Sequence, residues 1–239
     1  IMGHADVRRM LAEMKADTFA ARAIALACAV AIDLGTTGDA AARARAALLT
    51  PIAKAFGTET GARVADLGIQ VHGGMGYIEE TGAAQLLRDV RVTAIYEGTN
   101  GIQAADLVGR KLMDGGEAAM ALLDEIEAAA EDARGALPDL AEPVWQAAET
   151  MREATEWLVS QSDMNDRFAG AVPYLKAFAR VLGGHFHLAA AMAEKGGPRV
   201  ALARFYIDRM LPEHAGLLAH AQAGAEGLYA LSIDDLGRG

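Results

Sequence analysis

Apolar residues recur at three- and four-residue steps along nearly the whole chain, the spacing that places them on one face of an α-helix. From Asp6, a candidate N-cap, the positions Val7, Met10, Leu11 and Met14 start the pattern. Ile24, Cys28 and Ile32 continue it to a stop at Gly35, and residues 35–39 read as a loop. Thr50-Pro51 has the form of an N-cap followed by proline at the first helical position. A second long helix is expected from there, with Ile52, Phe56, Val64, Leu67 and Val71 inward and His72-Gly73-Gly74 as its end. Thr81 is a candidate cap for a helix carrying Leu86, Leu87 and Val90, and Thr99 for one carrying Ile102, Ala105 and Leu112.

Asp114-Gly115-Gly116 breaks the pattern and is the expected boundary between a first unit, residues 1–112, and a second, residues 113–239. In the second unit, helices are expected over about 117–135, from near Pro143 to about Ser160, over about 171–194 and 198–219, and briefly over 221–231. No alternation of strand type and no repeat of 20–50 residues is present. The expected fold class is all-α: a four-helix-bundle-type domain followed by a second helical bundle packed on it.

Composition supports this. Hydrophobic residues make up 52% of the 239 and aromatics only 5%, so alanine carries much of the apolar share and allows close helix approach. The formal net charge of −10 argues against a nucleic-acid or anionic-membrane surface. Seven acids against one base in 113–135 read as a solvated face. The single cysteine, Cys28, lies in an apolar run and excludes a disulfide within the chain. No charge-free apolar run of 18 residues occurs, so no transmembrane helix is expected. No signal peptide opens the chain, and a cytoplasmic location is the expectation. Ile1-Met2-Gly3-His4 leads almost directly into a helix, an opening expected of a piece of something longer.

Chemistry is sparse. His185 and His187 are two apart and diverge on a helix, no His-Glu-x-x-His or cysteine cluster exists, and no metal is expected. No Gly-x-Ser-x-Gly elbow supports a serine nucleophile. The glycines at 73, 74 and 76 follow a helix rather than a strand, so they are not a dinucleotide fingerprint, though bare backbone there admits a phosphate or a planar ring. Glu97, next to Gly98 and Thr99, reads by itself as a surface turn acid. In an apolar pocket its pKa would rise, making it a base for a proton on carbon next to a carbonyl.

Three segments in order change that balance. Gln70-Val71-His72-Gly73-Gly74-Met75-Gly76-Tyr77, then Leu87-Arg88-Asp89-Val90-Arg91, then Ile95-Tyr96-Glu97-Gly98-Thr99 closely resemble the C-terminal helical domain of acyl-CoA dehydrogenases, over roughly residues 1–112. The resemblance implies an FAD enzyme that desaturates an acyl-CoA thioester between its α and β carbons. Glu97 would then be the general base, Gln70, Gly73 and Gly74 would contact the FAD of a neighbouring subunit, Thr99 would contact flavin on the base's own side, and Gly98 would adjoin the thioester. It further implies a homo-oligomer and electron-transfer flavoprotein as electron acceptor. Asn100-Gly101 departs from many members and, with Asp106-Leu107-Val108 and Arg110-Lys111, is similar to a larger subgroup carrying an extra C-terminal helical domain. That subgroup includes enzymes for fatty acyl-CoA and 3-methylmercaptopropionyl-CoA. The N-terminal helical and middle β-domains of the family are absent, as is the first helix of the C-terminal domain. A non-catalytic oligomerisation module and an acyl-CoA oxidase-like relative are the alternative readings.

Overall fold

The structure, a computed structural model, describes residues 1–194 and 196–237, and among them finds helices and no strand. Two long antiparallel helices, α1 (Ala5–Thr36) and α2 (Ala40–His72), form the spine. Short helices α3 (Gly74–Tyr77), α4 (Ala83–Arg91) and α5 (Asn100–Asp106) fold back along α2, and α5 runs into a π-helical turn, Leu107–Lys111. The rest comprises α6 (Glu117–Ala133), α7 (Pro138–Ser160), α8 (Met164–Ala169), α9 (Ala171–Glu194), α10 (Pro198–Arg209), α11 (Glu213–Ala221), α12 (Glu226–Tyr229) and α13 (Ile233–Gly237).

α2 starts ten residues before the expected Thr50 cap. Asp39 is the N-cap, its carboxylate accepting from Ala42 N at 2.9 Å. Pro51 lies inside the helix, where proline costs about 3 kcal/mol. Burial of Leu48, Leu49 and Ile52 outweighs it, each contributing roughly 1.5–3 kcal/mol. Thr50 Oγ1 donates to Ala46 O at 2.7 Å, so it back-bonds rather than caps. Thr81 likewise does not cap α4: it sits in a 3-10 turn, its hydroxyl donating to Met75 O, and Gly82 takes the cap position. The expected helix over 198–219 is two, because Pro212 disfavours helix at the residue before it and lacks an N–H. His4, not Asp6, occupies the N-cap position of α1, Pro138 starts α7 ahead of Pro143, and α8 lies between two of the expected helices.

α9 is the central strut, touching α1, α2, α5, α6, α7, α8, α10 and α11. One continuous buried cluster runs from Ile24, Leu49 and Ile52 through Leu107 and Leu123 to Phe178 and Tyr206. Cys28 is buried between α1 and α2, as expected of a small hydrophobe. Buried polar groups are concentrated where α9 meets α1. Asp17 of α1, 2% exposed, accepts from Arg180 of α9 at 2.5 Å and from Arg63 of α2 at 2.8 Å. Arg180 also donates to Glu213 of α11 at 2.6 Å and lies over the Phe56 ring, and Arg63 reaches Glu13. Near them His187 stacks on Tyr206 and faces the Ala16 carbonyl at 3.1 Å.

By hydropathy α1 is long and apolar enough to cross a membrane, with an 18-residue window averaging 1.6, although that window is not charge-free. Its buried positions Ala16, Ala20, Ile24 and Cys28 face the shared core, while Leu26, Val30, Ile32 and Leu34 stay exposed.

The Asp17 cluster should respond asymmetrically to mutation. Asp17→Ala leaves Arg180 buried with one half-exposed partner and is expected to lower unfolding free energy in urea by about 3–5 kcal/mol, whereas Asp17→Leu with Arg180→Met should lose much less. For His187, burial chiefly and Arg199 secondarily depress the pKa to about 4, against the effect of the Ala16 bond. Above about pH 6.5 the imidazole is neutral in both states. As pH falls from there toward 4 only the unfolded chain takes up the proton, so stability should drop by roughly 2–3 kcal/mol across that window. His187→Gln should flatten this part of a urea-unfolding pH series by a comparable amount; an unchanged slope would exclude His187 as its source.

Candidate functional site

The turn between α4 and α5 starts as a 3-10 turn over Val92–Ala94, and the chain then leaves helical geometry. Glu97 has φ 54° and Gly98 φ 84°, and among the described residues Glu97 is the one non-glycine with positive φ. Such a conformation costs a non-glycine residue roughly 1–2 kcal/mol. It turns the chain outward, then Thr99 returns it to helix as the N-cap of α5, its Oγ1 accepting from Ile102 N at 3.3 Å. This confirms the expected cap.

Two successive carbonyls of the turn are held by side chains. Gln103 Nε2 donates to Glu97 O at 3.2 Å. Lys54 Nζ, from α2, donates to Gly98 O at 2.7 Å and to Asn100 Oδ1 at 2.9 Å. Asn100 Nδ2 in turn donates to Ala55 O at 3.3 Å and to Thr58 Oγ1 at 3.0 Å. A cleft of about 430 Å³ borders the turn, lined by Glu59, Arg91, Ile95, Thr99 and Asn100 among others.

Glu97, Gly98 and Thr99 are all exposed. The apolar pocket envisaged around Glu97 is therefore not supplied by the described residues. Ile95, Tyr96 and Ile102 around it are exposed as well, an apolar rim without a cover.

Gln70 is exposed in the last turn of α2, and Gly73 ends that helix at φ 62°, a conformation that favours glycine. Gly76 is buried, and a Cβ there would lie 2.4 Å from Ile69 O, so packing accounts for it. Gly74 has neither excuse: its φ is ordinary and a Cβ would meet nothing within 4 Å. Gly73 and Gly74 thus offer open backbone beside the Gln70 amide. The two motifs do not converge, because Lys54 and Gln70 are sixteen residues apart on one helix, about 24 Å at 1.5 Å per residue.

The glycines and the Glu97 turn were legible in the sequence; Lys54 and Gln103 were not. Their only signal was spacing, Lys54 and Thr58 lying one helical turn apart on the face that meets Asn100. Among the described residues no three His, Cys, Asp or Glu side chains are grouped as metal ligands would be.

Comparison with known proteins gives two matches to family profiles: "Acyl-CoA dehydrogenase, C-terminal domain" over residues 1–113 and "Acetyl-CoA dehydrogenase C-terminal like" over residues 122–232. A 3-methylmercaptopropionyl-CoA dehydrogenase of Ruegeria pomeroyi is 39% identical over 89% of this chain and 40% of its own length. A butyryl-CoA dehydrogenase of Syntrophomonas wolfei is 30% identical over 90% of this chain and 39% of its own. The chain therefore spans about two fifths of these relatives. Among solved structures, an acyl-CoA dehydrogenase complexed with FAD from Bacillus anthracis aligns with TM-score 0.71 at 19% identity, covering 96% of this chain and 43% of that one. Caenorhabditis elegans ACDH-11 in complex with C11-CoA aligns with the same score at 23% identity, over 84% and 36%. At these identities the likeness speaks for the fold.

Proposed function

We propose, for a chain that belongs to the acyl-CoA dehydrogenase family as its C-terminal helical part, that it supplies the general base of an FAD-dependent α,β-desaturation of an acyl-CoA thioester. The observation that carries this is the Glu97 turn. An exposed carboxylate sits on a left-handed backbone whose carbonyls at Glu97 and Gly98 are held by two side chains, with uncovered apolar side chains around it.

In this reading the Glu97 carboxylate takes the α-proton of the thioester. Gly98 adjoins the thioester in this reading; glycine there is required by the turn itself, at φ 84° with a Cβ that would press on Gln103 Nε2 at 3.2 Å. The exposed Thr99 hydroxyl and the open backbone at Gly73 and Gly74, with the Gln70 amide, suit one wall each of a flavin site. When bound, FAD would accept the β-hydride. Lys54, which holds the turn, and Gln70 are about 24 Å apart along α2, and this reading gives the two walls to different flavins, the second belonging to a neighbouring subunit. A homo-oligomer therefore forms part of the proposal, as does electron-transfer flavoprotein as acceptor. The exposed stripe of Leu26, Val30 and Leu34 on α1 is an uncovered face consistent with further chain packing there.

Because the described residues form walls and no enclosure, the 239-residue chain by itself is expected neither to hold FAD stoichiometrically nor to turn over substrate; yellow flavin absorbance co-purifying one-to-one would contradict this. In the full-length protein, Glu97→Gln is expected to reduce kcat on an acyl-CoA panel, assayed with an artificial acceptor, by at least about 10³-fold with flavin content unchanged. Full activity of that variant would assign the proton to another group.

A further inference from the structure

We infer that Lys54 and Asn100, with Gln103, are positioning residues that fix the backbone turn from which the Glu97 carboxylate projects. The inference rests on reading Glu97 as the base. Its starting point is the strain: a glutamate at φ 54° persists only where its surroundings over-determine the backbone. The three anchors provide that determination and come from two elements. Gln103 of α5 takes the Glu97 carbonyl, and Lys54 of α2 takes the next carbonyl, that of Gly98. Asn100 locks the two elements together, since its amide oxygen accepts from the same ammonium while its nitrogen donates to the α2 backbone at Ala55 O. Thr58 completes the fit, its hydroxyl donating to Lys54 O at 2.9 Å and lying 3.0 Å from Asn100 Nδ2.

The arrangement leaves the Glu97 side chain free of its supports. None of these anchoring bonds uses the Glu97 carboxylate, so it stays available for a proton while the backbone under it is held. Serine or alanine at position 100 would hold neither the ammonium nor the Ala55 carbonyl in this way, having no amide. Asn100 thereby has a physical role in a chain where the sequence marked it only as a departure from many relatives. Misplacement of a reacting group by about 1 Å is enough to cost about 10²-fold in rate.

The test uses the full-length FAD-loaded enzyme with Lys54→Met, Lys54→Arg, Asn100→Ala and Gln103→Leu, beside Glu97→Gln. Lys54→Met and Asn100→Ala are expected to lower kcat about 10–100-fold with KM within threefold, and Lys54→Arg to recover most of the loss. Amide hydrogen exchange of Ile102 and Gln103, which donate to Thr99 Oγ1 and Thr99 O, should speed up at least tenfold in the same two variants, with exchange of the buried core of α9 unchanged. Gln103→Leu, at a half-exposed position, gives the same reading through a smaller change should either α2-facing variant unfold. Unchanged kcat, or unchanged exchange at Ile102 and Gln103, in these variants overturns the positioning role. A kcat loss matched by faster exchange in α9 also overturns it, as a general loss of stability. Full activity in Glu97→Gln overturns the reading of the base instead, so the two failures are distinct.

Discussion

The buried charge of Arg180 is the constraint around which the rest of the molecule is arranged. A guanidinium inside a helical core is tolerated only with its hydrogen bonds filled, and the partners come from different helices: Asp17 on α1 and Glu213 on α11. Asp17 in turn also accepts from Arg63 on α2. Apolar alanine faces slide past one another with small differences in energy, whereas this set of bonds is satisfied in one register. The ion cluster therefore fixes how α1, α2, α9 and α11 sit, and the shared core from Ile24 to Tyr206 packs within that frame.

That frame reaches the Glu97 turn through α2. Glu59 on α2 pairs with Lys176 on α9 at 3.0 Å, one helical turn from Arg63 and next to Thr58. The same Glu59 lies 3.5 Å from Asn100 Nδ2. Lys54, Ala55, Thr58 and Glu59 form a single face of α2, held against α9 and presented to the start of α5. A left-handed glutamate is thus the end of a chain of contacts that begins at a buried ion pair. The residues that match the second family profile, which contain α9 and α11, take part in shaping a turn that lies within the first.

What the sequence disclosed follows from where the decisive information lies. Helix existence was legible, because the apolar period of α1, α6 and α9 is local. Helix ends were less so. Thr50-Pro51 has the local form of a start, yet Asp39 begins the helix, since burial of Leu48, Leu49 and Ile52 is a tertiary effect that overrides a local breaker. The reverse happened at Pro212, where no buried run on its far side is strong enough and the helix divides. The Thr99 cap was legible because cap chemistry spans three residues. The support of Glu97 by Lys54 was hidden, since forty-three positions of sequence separate them and only the fold of α2 against α5 brings them together.

The geometry also sets what kind of catalytic element this chain can be. A base is useful near neutral pH when its surroundings disfavour its charge or when its substrate is acidified. Glu97 is exposed among the described residues. Under the proposed function a thioester would acidify its own α-carbon, and Ile95, Tyr96 and Ile102 beside Glu97 are uncovered. Fixing the backbone in advance while leaving the side chain to be enclosed later divides the work between two bodies. On the proposed function, the turn under the base would be set within this chain by α2 and α5, and desolvation would fall to a second body. In such an arrangement the entropic cost of orienting the base is met at folding rather than at each turnover.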